Sequence, residues 1–250
     1  MNRDHPRITS IVPGLLLAAA STPPASGQSW LLQFGSTGGD LARGACSDGA
    51  GGIFISGFTT GDLGGPSAGG DDAFLARVDR SGAKLWTRQF GTPSAEYANA
   101  VAPDGSGGAY VVGMTGGALG GPVIGGFDCF LARYDASGSR QWIRQFGVAG
   151  GSEAAAVALS SGAVFVGGLV SGSLGGPHQG GTDCFLARYD ASGNQLWVRQ
   201  FGTPELDNIQ TIVGDGAGGV FVAGTTTGNL AAPAANTNGD AFVARYDSTG

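Results

Sequence analysis

Side chains suited to general acid–base catalysis are scarce in this sequence of 250 residues. It contains two histidines, His5 near the start and His178 in a Gly-rich stretch. Catalysis by a serine or cysteine nucleophile needs a histidine held beside that nucleophile, and a single histidine in a predicted exposed loop gives no such signature. The sequence therefore predicts no catalytic residue and favours a protein that is not an enzyme.

Aspartates that close Gly-rich stretches are the candidate metal ligands. Four stretches end with Asp72, Asp128, Asp183 and Asp240, and Asp62 lies inside the first. Calcium prefers clusters of oxygen ligands, but each stretch offers one or two carboxylates and does not match the calcium repeat G-G-x-G-x-D-x-U-x. We expect these aspartates to bind loop backbone at strand starts and predict no metal and no cofactor, with calcium as the alternative. The stretches also lack the Lys-Ser/Thr end of a phosphate-binding loop.

An arginine precedes an aspartate by two residues four times along the chain. In a strand this spacing places both side chains on one face, so they are expected to form ion pairs with one another or with an adjacent repeat. We interpret them as structural because they recur in every copy, although four equivalent arginine sites are the functional alternative. The residues are Arg77 and Asp79, Arg133 and Asp135, Arg188 and Asp190, and Arg245 and Asp247. Arg88, Arg144 and Arg199 also recur at one place in successive copies, and we interpret them as structural too.

Three cysteines, Cys46, Cys129 and Cys184, allow at most one disulfide. Cys129 and Cys184 occupy the same place in successive repeats, where two other repeats have Ala73 and Ala241. A place shared by cysteine and alanine is most simply a small buried site. We therefore predict a structural role for these cysteines.

Composition and charge exclude several classes of protein. The net charge is −6 and the 13 basic residues are scattered, so no basic cluster could follow a nucleic-acid backbone. Gly (49) and Pro (11) supply about a quarter of the chain, yet 42% of the residues are hydrophobic, which is enough for a core. So much glycine disfavours helices and favours an all-β fold rich in turns.

Residues 1–27 have the layout of a secretory signal peptide. Arg3 and Arg7 precede an apolar stretch over residues 8–20, and small residues suited to cleavage follow. The stretch is shorter than the ~20 residues that cross a bilayer. We predict a signal peptide, a mature domain over residues 28–250 without a membrane span, and a secreted or cell-surface location. A disordered N-terminal tail is the alternative.

A repeat of about 56 residues dominates the rest of the chain. Trp30, Trp86, Trp142 and Trp197 are separated by 56, 56 and 55 residues, and the string CFLARYDASG occurs at 129–138 and again at 184–193. Each copy contains four short apolar runs bounded by Gly, Asp, Ser and Pro, which are strand signals. Turns such as DGSGG at 104–108 join two of the runs; Asp48 and Asp215 repeat this turn, and the third copy has the shorter Ser160-Ser161-Gly162.

The runs AYVVG and VFVGG do not alternate between polar and apolar residues, which indicates strands buried on both faces. Four-stranded sheets repeated radially give a β-propeller. Small residues such as ANAVA suit its crowded centre, and tryptophan suits its wider outside. The predicted fold is therefore an all-β propeller of about four four-stranded blades.

The recurring pattern D-[AC]-F-[LV]-A-R-[YV]-D, W-x-R-Q-F-G, D-G-x-G-G and L-G-G-P resembles the SBBP repeat. That family is named for a seven-bladed β-propeller and occurs in secreted and surface proteins of bacteria. The segment ARYDASGNQLW also resembles the Trp-docking repeat of quinoprotein propellers. The resemblance implies that ANAVA is the innermost strand, that QWIRQF is the outermost, and that tryptophan joins neighbouring blades.

Two arrangements of the blades fit the repeat. In a closed four-bladed ring, SWLLQFG at residues 29–35 would supply the outer strand of the fourth blade. In a partial arc of a larger propeller the chain would need further blades. Each of the four strands of the repeat occurs four times along the chain, which favours the ring.

Two functions are considered. The first is a non-enzymatic exported scaffold or binding module, with a protein or glycan partner at the loops Pro122–Phe127 or His178–Thr182, because rigid frames carry function on loops. The second is a quinoprotein-like or lyase enzyme with a site in the central channel. Only Arg43, Asn99 and Gln210, aligned with Ala155, are polar candidates there, and they define no reaction.

Overall fold

The computed structural model describes residues 29–231 and 238–250. The predicted signal peptide, with His5, lies outside the described residues. Residues 32–250 form one compact unit, and residues 29–31 belong to a separate N-terminal unit. The described residues contain no helix, and hence no apolar helix of membrane-crossing length.

Fifteen strands in four antiparallel sheets make up the regular structure of the described residues. The first sheet contains β1 (Asp40–Ser47), β2 (Ile53–Thr59), β3 (Asp72–Val78) and β4 (Lys84–Phe90). The second contains β5 (Glu96–Pro103), β6 (Ala109–Thr115), β7 (Asp128–Tyr134) and β8 (Arg140–Phe146). The third contains β9 (Ser152–Ser160), β10 (Ala163–Val170), β11 (Asp183–Tyr189) and β12 (Gln195–Phe201). The fourth contains β13 (Asp207–Gly214), β14 (Val220–Thr226) and β15 (Asp240–Tyr246). The all-β prediction is confirmed.

Aspartate and glycine form the tight turns between the first two strands of three sheets. Asp104 Oδ1 accepts hydrogen bonds from the backbone N–H groups of Ser106 and Gly108, each at 2.8 Å. Gly105 and Gly107 have φ of +77° and +88°, values that glycine adopts without steric cost. The third sheet instead has a two-residue turn, in which Ser161 and Gly162 both have positive φ, as a type I′ hairpin requires.

Consecutive sheets pack face to face, and the first strand of each lies against the preceding sheet. We call β1, β5, β9 and β13 the inner strands and β4, β8 and β12 the outer strands. Three buried apolar clusters fill the three junctions between sheets. At each junction a phenylalanine of the outer strand packs edge-to-face on a phenylalanine of the next sheet, as Phe90 does on Phe130 with ring centroids 5.7 Å apart. This is the radial stacking that the sequence predicts.

Tryptophans join neighbouring sheets. The indole N–H groups of Trp86, Trp142 and Trp197 donate to backbone carbonyls in the β-turn of the following sheet, at 3.2, 3.3 and 3.1 Å. Each indole is half-buried. The role of tryptophan implied by the resemblance is therefore confirmed at these three positions.

The four sheets do not close into a ring, so the favoured four-bladed ring is wrong and the partial arc is the arrangement observed. Residues 32–35 form no strand with β15, and the fourth sheet has three strands. Phe34 instead packs edge-to-face on Phe74 of the first sheet at 6.2 Å, as the outer-strand phenylalanine of a preceding blade would. Because similar contacts form every junction, the repeat sets the angle of rotation between successive sheets. Four sheets related by that angle leave the arc open.

Candidate functional site: a cleft along the inner strands

Every inner strand carries a β-bulge at the same place in the repeat. The residues left unpaired by the bulges are Arg43, Asn99, Ala155 and Gln210. A bulge inserts one extra residue into the strand and redirects its side chain. All four residues line one cleft of about 380 Å³. The structure thus brings together the polar channel residues that the sequence singled out.

Arg43 is exposed but held in a fixed orientation. Its Nη1 donates to Asn99 Oδ1 at 2.7 Å. Its Cζ lies 4.9 Å from the ring centroids of both Phe58 and Tyr97, within the range of a cation–π interaction. None of the ion pairs found in the described part of the chain includes Arg43. Its guanidinium therefore keeps donors for a ligand.

Asn99 links Arg43 to the next sheet, because its Nδ2 donates to Glu153 Oε1 and to the carbonyl of Ala154, both at 3.1 Å. Beyond Asn99 the cleft is lined by the methyl group of Ala155 and then by the exposed Gln210. A cation and two amides therefore line the cleft, at places where the third repeat has only alanine. This arrangement can bind polar groups of a ligand.

Sequence reasoning missed Tyr97, Glu153 and Phe58 as neighbours of the cleft. Tyr97 donates its hydroxyl to Asp71 Oδ2 at 2.6 Å. That hydrogen bond, together with partial burial, raises the pKa of Tyr97. Variation between the copies could have pointed to Tyr97 and Glu153. The second residue of each inner strand differs between the copies and is Leu41, Tyr97, Glu153 or Asn208.

The variable loops lie at the surface as expected. In the loop Pro122–Phe127, Val123 is 50% and Ile124 is 47% exposed. Phe127 lies 6.1 Å from the ring of Tyr97, so this loop adjoins the residues beside the cleft. In the other loop, His178 Nδ1 lies 3.3 Å from Asp183 Oδ2.

Asp62, Asp72, Asp128 and Asp183 hold loop backbone, as predicted, whereas the role of Asp240 stays a prediction. Asp72 Oδ2 accepts from Ala68 N–H at 2.8 Å and from Gln89 Nε2 at 2.7 Å. Asp128 and Asp183 make the corresponding bonds. Asp62 accepts from Ser67 N–H at 2.7 Å. Across residues 29–231 and 238–250, no three His, Cys, Asp or Glu side chains form a group that could hold a metal ion.

The expected pairing within Arg-x-Asp is wrong. Arg77, Arg133 and Arg245 pair with the aspartates of the first turn in their own sheet, Asp48, Asp104 and Asp215, at 2.8, 2.9 and 2.6 Å. The aspartate two residues on is held by its own turn: Asp79 Oδ1 accepts from the backbone of Ser81 and Ala83. The structural interpretation stands, with a different partner.

The second arginine series is also structural. Arg88 donates through Nε to the carbonyl of Gly138 at 2.9 Å and through Nη2 to that of Ser137 at 3.0 Å. Arg144 and Arg199 repeat these bonds to the turn of the following sheet. These guanidiniums therefore satisfy turn carbonyls beside the tryptophan contact.

All three cysteines are described and are free thiols. Cys129 and Cys184 are fully buried, which confirms the small buried site. Burial raises the pKa of both thiols well above the usual range. Half-buried Cys46 has its pKa raised to about 12, first by burial and then by the charge of Asp48.

Comparison with known proteins agrees with this architecture. Residues 85–121 and 196–231 match the family model of the SBBP beta-propeller repeat. A curated relative, the "Regulatory protein FlaEY" of Caulobacter vibrioides, is 37% identical over 99 residues, which cover 36% of this chain and 10% of that protein. Both family matches begin in an outer strand and end after the second strand of the next sheet, so each spans a junction between sheets. Two stretches of the chain are therefore similar to the SBBP β-propeller repeat.

Proposed function

We propose that the chain is a non-enzymatic binding or scaffold module that is exported and displayed at a bacterial cell surface. Its ligand, a protein or a glycan, binds at the inner-strand cleft and the adjoining loop Pro122–Phe127. The observation that carries this proposal is a difference between the recurring and the variable polar side chains. The groups that recur in the copies mainly hold turns and loops, whereas Arg43, Asn99 and Gln210 differ between copies and meet in one cleft.

A rigid frame supports selective binding. The inner strands are held by sheet hydrogen bonds and by buried clusters at the junctions between sheets. Bulged residues on such strands are oriented before a ligand arrives, which lowers the entropic cost of binding. The relative described as a regulatory protein fits a role exerted through binding.

The binding proposal is tested with the purified chain on glycan and peptide arrays, followed by calorimetry on the captured ligands. We expect Arg43→Ala and Gln210→Ala each to weaken capture about tenfold, since each removes hydrogen bonds worth about 1.4 kcal/mol together. Gln141→Ala is the matched control, because Gln141 is an exposed glutamine on outer strand β8. Equal affinity of all variants would place the ligand elsewhere.

The non-enzymatic part of the proposal is tested separately by incubating the chain with a quinone cofactor and with polysaccharide lyase substrates. We expect no turnover above a heat-denatured sample. Cofactor-dependent turnover that Arg43→Ala abolishes would overturn the proposal in favour of a channel enzyme.

Export is tested with a reporter that is active only outside the cytoplasm. Residues 1–27 fused to alkaline phosphatase are expected to give phosphatase activity in intact cells. A fusion in which Arg3 and Arg7 are both replaced by glutamate is the control, because a signal peptide requires a positive start. Equal, low activity of both fusions would contradict export.

A further inference from the structure

One arginine of the repeat lacks the carboxylate that its three equivalents have. Arg77 donates through Nε and Nη2 to Asp48 Oδ2 at 3.0 and 2.8 Å. Arg133 does the same to Asp104 at 3.1 and 2.9 Å, and Arg245 to Asp215 at 3.0 and 2.6 Å. Two parallel donors on one edge of a guanidinium are a favourable arrangement for a carboxylate.

In the third sheet the aspartate turn is replaced. The five residues 104–108 are replaced by the four residues 160–163, and Ser160 stands where the other sheets have aspartate. Arg188 therefore makes no ion pair within the described residues. Its Nε is buried and has no hydrogen-bond partner in that part of the chain.

The guanidinium of Arg188 nevertheless keeps the position seen in the other sheets. Its Cζ lies 5.7 Å from the ring centroid of Phe165, compared with 5.3, 5.8 and 5.9 Å for the equivalent pairs. Its Nη1 donates to the carbonyl of Ser248 at 2.8 Å, as Arg77 Nη1 does to Ala136 at 3.2 Å. The side chain is thus held in place with the carboxylate-binding edge unsatisfied.

We propose that Arg188, at the β9–β10 turn, is a binding site for a carboxylate supplied by a ligand. The ligand carboxylate takes the role that Asp48, Asp104 and Asp215 have in the other sheets, and accepts from Arg188 Nε and Nη2. A buried donor without a partner is unfavourable, so an incoming carboxylate satisfies a group that the fold leaves unpaired. Hydroxyl groups of Ser160 and the exposed Ser161 lie on the same turn. This site is separate from the inner-strand cleft, and the inference does not rest on the function proposed above.

The carboxylate could come from a small organic acid or from an acidic side chain of a polypeptide. The two sources are distinguished by following the arginine Nε–H resonances of the isotope-labelled chain by nuclear magnetic resonance. Acetate is titrated in one series and a glutamate-rich peptide in another, with sodium chloride as the ionic-strength control. We expect the Arg188 resonance to shift saturably while those of Arg77 and Arg133 stay unchanged.

Variants test whether the missing aspartate defines the site. We expect Arg188→Gln to abolish saturable binding, with Arg144→Gln as the matched control on a structural arginine of the neighbouring sheet. Ser160→Asp should weaken binding about tenfold or more, since an internal carboxylate competes for the same donors. Because the short turn limits the reach of residue 160, a second variant replaces residues 160–163 by the five residues of 104–108.

Saturation by acetate identifies a small organic acid, and saturation only by the peptide identifies a polypeptide ligand; both support the proposal. It would be overturned by shifts that do not saturate, by equal shifts at Arg133, or by chloride acting as strongly as acetate. Unchanged affinity in the variant that carries the five-residue aspartate turn would overturn it as well.

Discussion

Gly193 lies against the indole ring of Trp142, which belongs to the preceding sheet. A Cβ built on Gly193 would approach ring atoms Cε3 and Cζ3 to 3.0 Å, closer than ordinary van der Waals contact. The same relationship joins Gly138 to Trp86 and Gly250 to Trp197. Glycine in the β-turn therefore lets the tryptophan of one sheet lie flat on the next, where its N–H reaches a turn carbonyl.

Replacing Gly193 by alanine should destabilise the junction between the second and third sheets. Gly193 has φ of +79°, so alanine costs about 1–2 kcal/mol for backbone conformation alone, and displacement of the indole should add about 1–3 kcal/mol. Gly162→Ala is the control, because Gly162 also has φ of +79° but nothing lies within 4 Å of its Cβ position. Urea unfolding that gives equal losses for both variants would contradict the role of the tryptophan contact.

The Arg133–Asp104 pair should make the fold sensitive to acid. Burial of Asp104 by itself raises its pKa, but hydrogen bonds from Ser106, Arg133 and Gly108 outweigh it and leave the pKa below 3.8. A carboxyl whose pKa is lowered by folding contributes stability above its unfolded pKa and loses it as pH falls through the folded pKa. We therefore expect stability to fall as pH drops below about 4.

Arg133→Gln should lower the free energy of unfolding by about 1–3 kcal/mol at pH 7. It should also make the fall in stability below about pH 4 smaller than in the unmodified chain. Arg188→Gln is the control, because Arg188 occupies the same place in the repeat as Arg133 but pairs with no carboxylate. The pH dependence of its stability should match that of the unmodified chain. Chemical unfolding at several pH values between neutral and strongly acidic measures both. A parallel acid response in all three proteins would show that the pair does not contribute.

Asp72 and Glu96 form a buried carboxylate pair at the first junction. Both are fully buried, and a Cβ on Gly91 would overlap Asp72 Oδ1 and lie 2.9 Å from Glu96 Oε2. Asp72 Oδ1 has no hydrogen-bond partner among the described residues. Asp72→Asn puts a donor there and keeps the acceptor that holds Ala68 and Gln89, so we expect a gain of about 1 kcal/mol in the free energy of unfolding at pH 7.

The matched control for that change is Asp128→Asn at the second junction, where Ser152 stands in place of Glu96. Asp128 Oδ1 accepts from Gly125 N–H at 3.0 Å, so an amide donor there should lower stability. Thermal or urea unfolding compares the two variants. A loss for Asp72→Asn as large as that for Asp128→Asn would show that Asp72 Oδ1 has a partner of its own.

Thiol reactivity should report the packing between sheets. Because Cys129 and Cys184 are fully buried and burial keeps the pKa of each far above neutral, an aromatic disulfide reagent should modify neither in the native chain and both after unfolding. Cys129→Ala should cost no more than about 1 kcal/mol, since the first and fourth sheets have Ala73 and Ala241 there. Rapid modification of Cys129 in the native chain would mean that the junction opens.

Much of the fold follows from local rules. Apolar runs of five to seven residues, aspartate–glycine turns and the tryptophan spacing lead directly to four sheets and their order. The polar candidates Arg43, Asn99 and Gln210 were found by aligning the copies, because residues at equivalent places in a repeat occupy equivalent places in the fold. Their neighbours Tyr97 and Glu153 were missed, because the contacts of Asn99 with Glu153 and of Tyr97 with Asp71 cross between sheets.

By itself, the amino-acid sequence determined the repeat, the strands, the turns and the buried faces, because each depends on residues close along the chain. The tertiary structure decided that the sheets form an open arc, because the shape of the arc depends on the angle between packed sheets and not on any one repeat. It also decided which aspartate Arg133 pairs with, and that Arg188 has none. Hairpin geometry places the first turn of a sheet beside its third strand, so Arg133 pairs with Asp104, whereas the turn beside Arg188 has Ser160 in place of the aspartate.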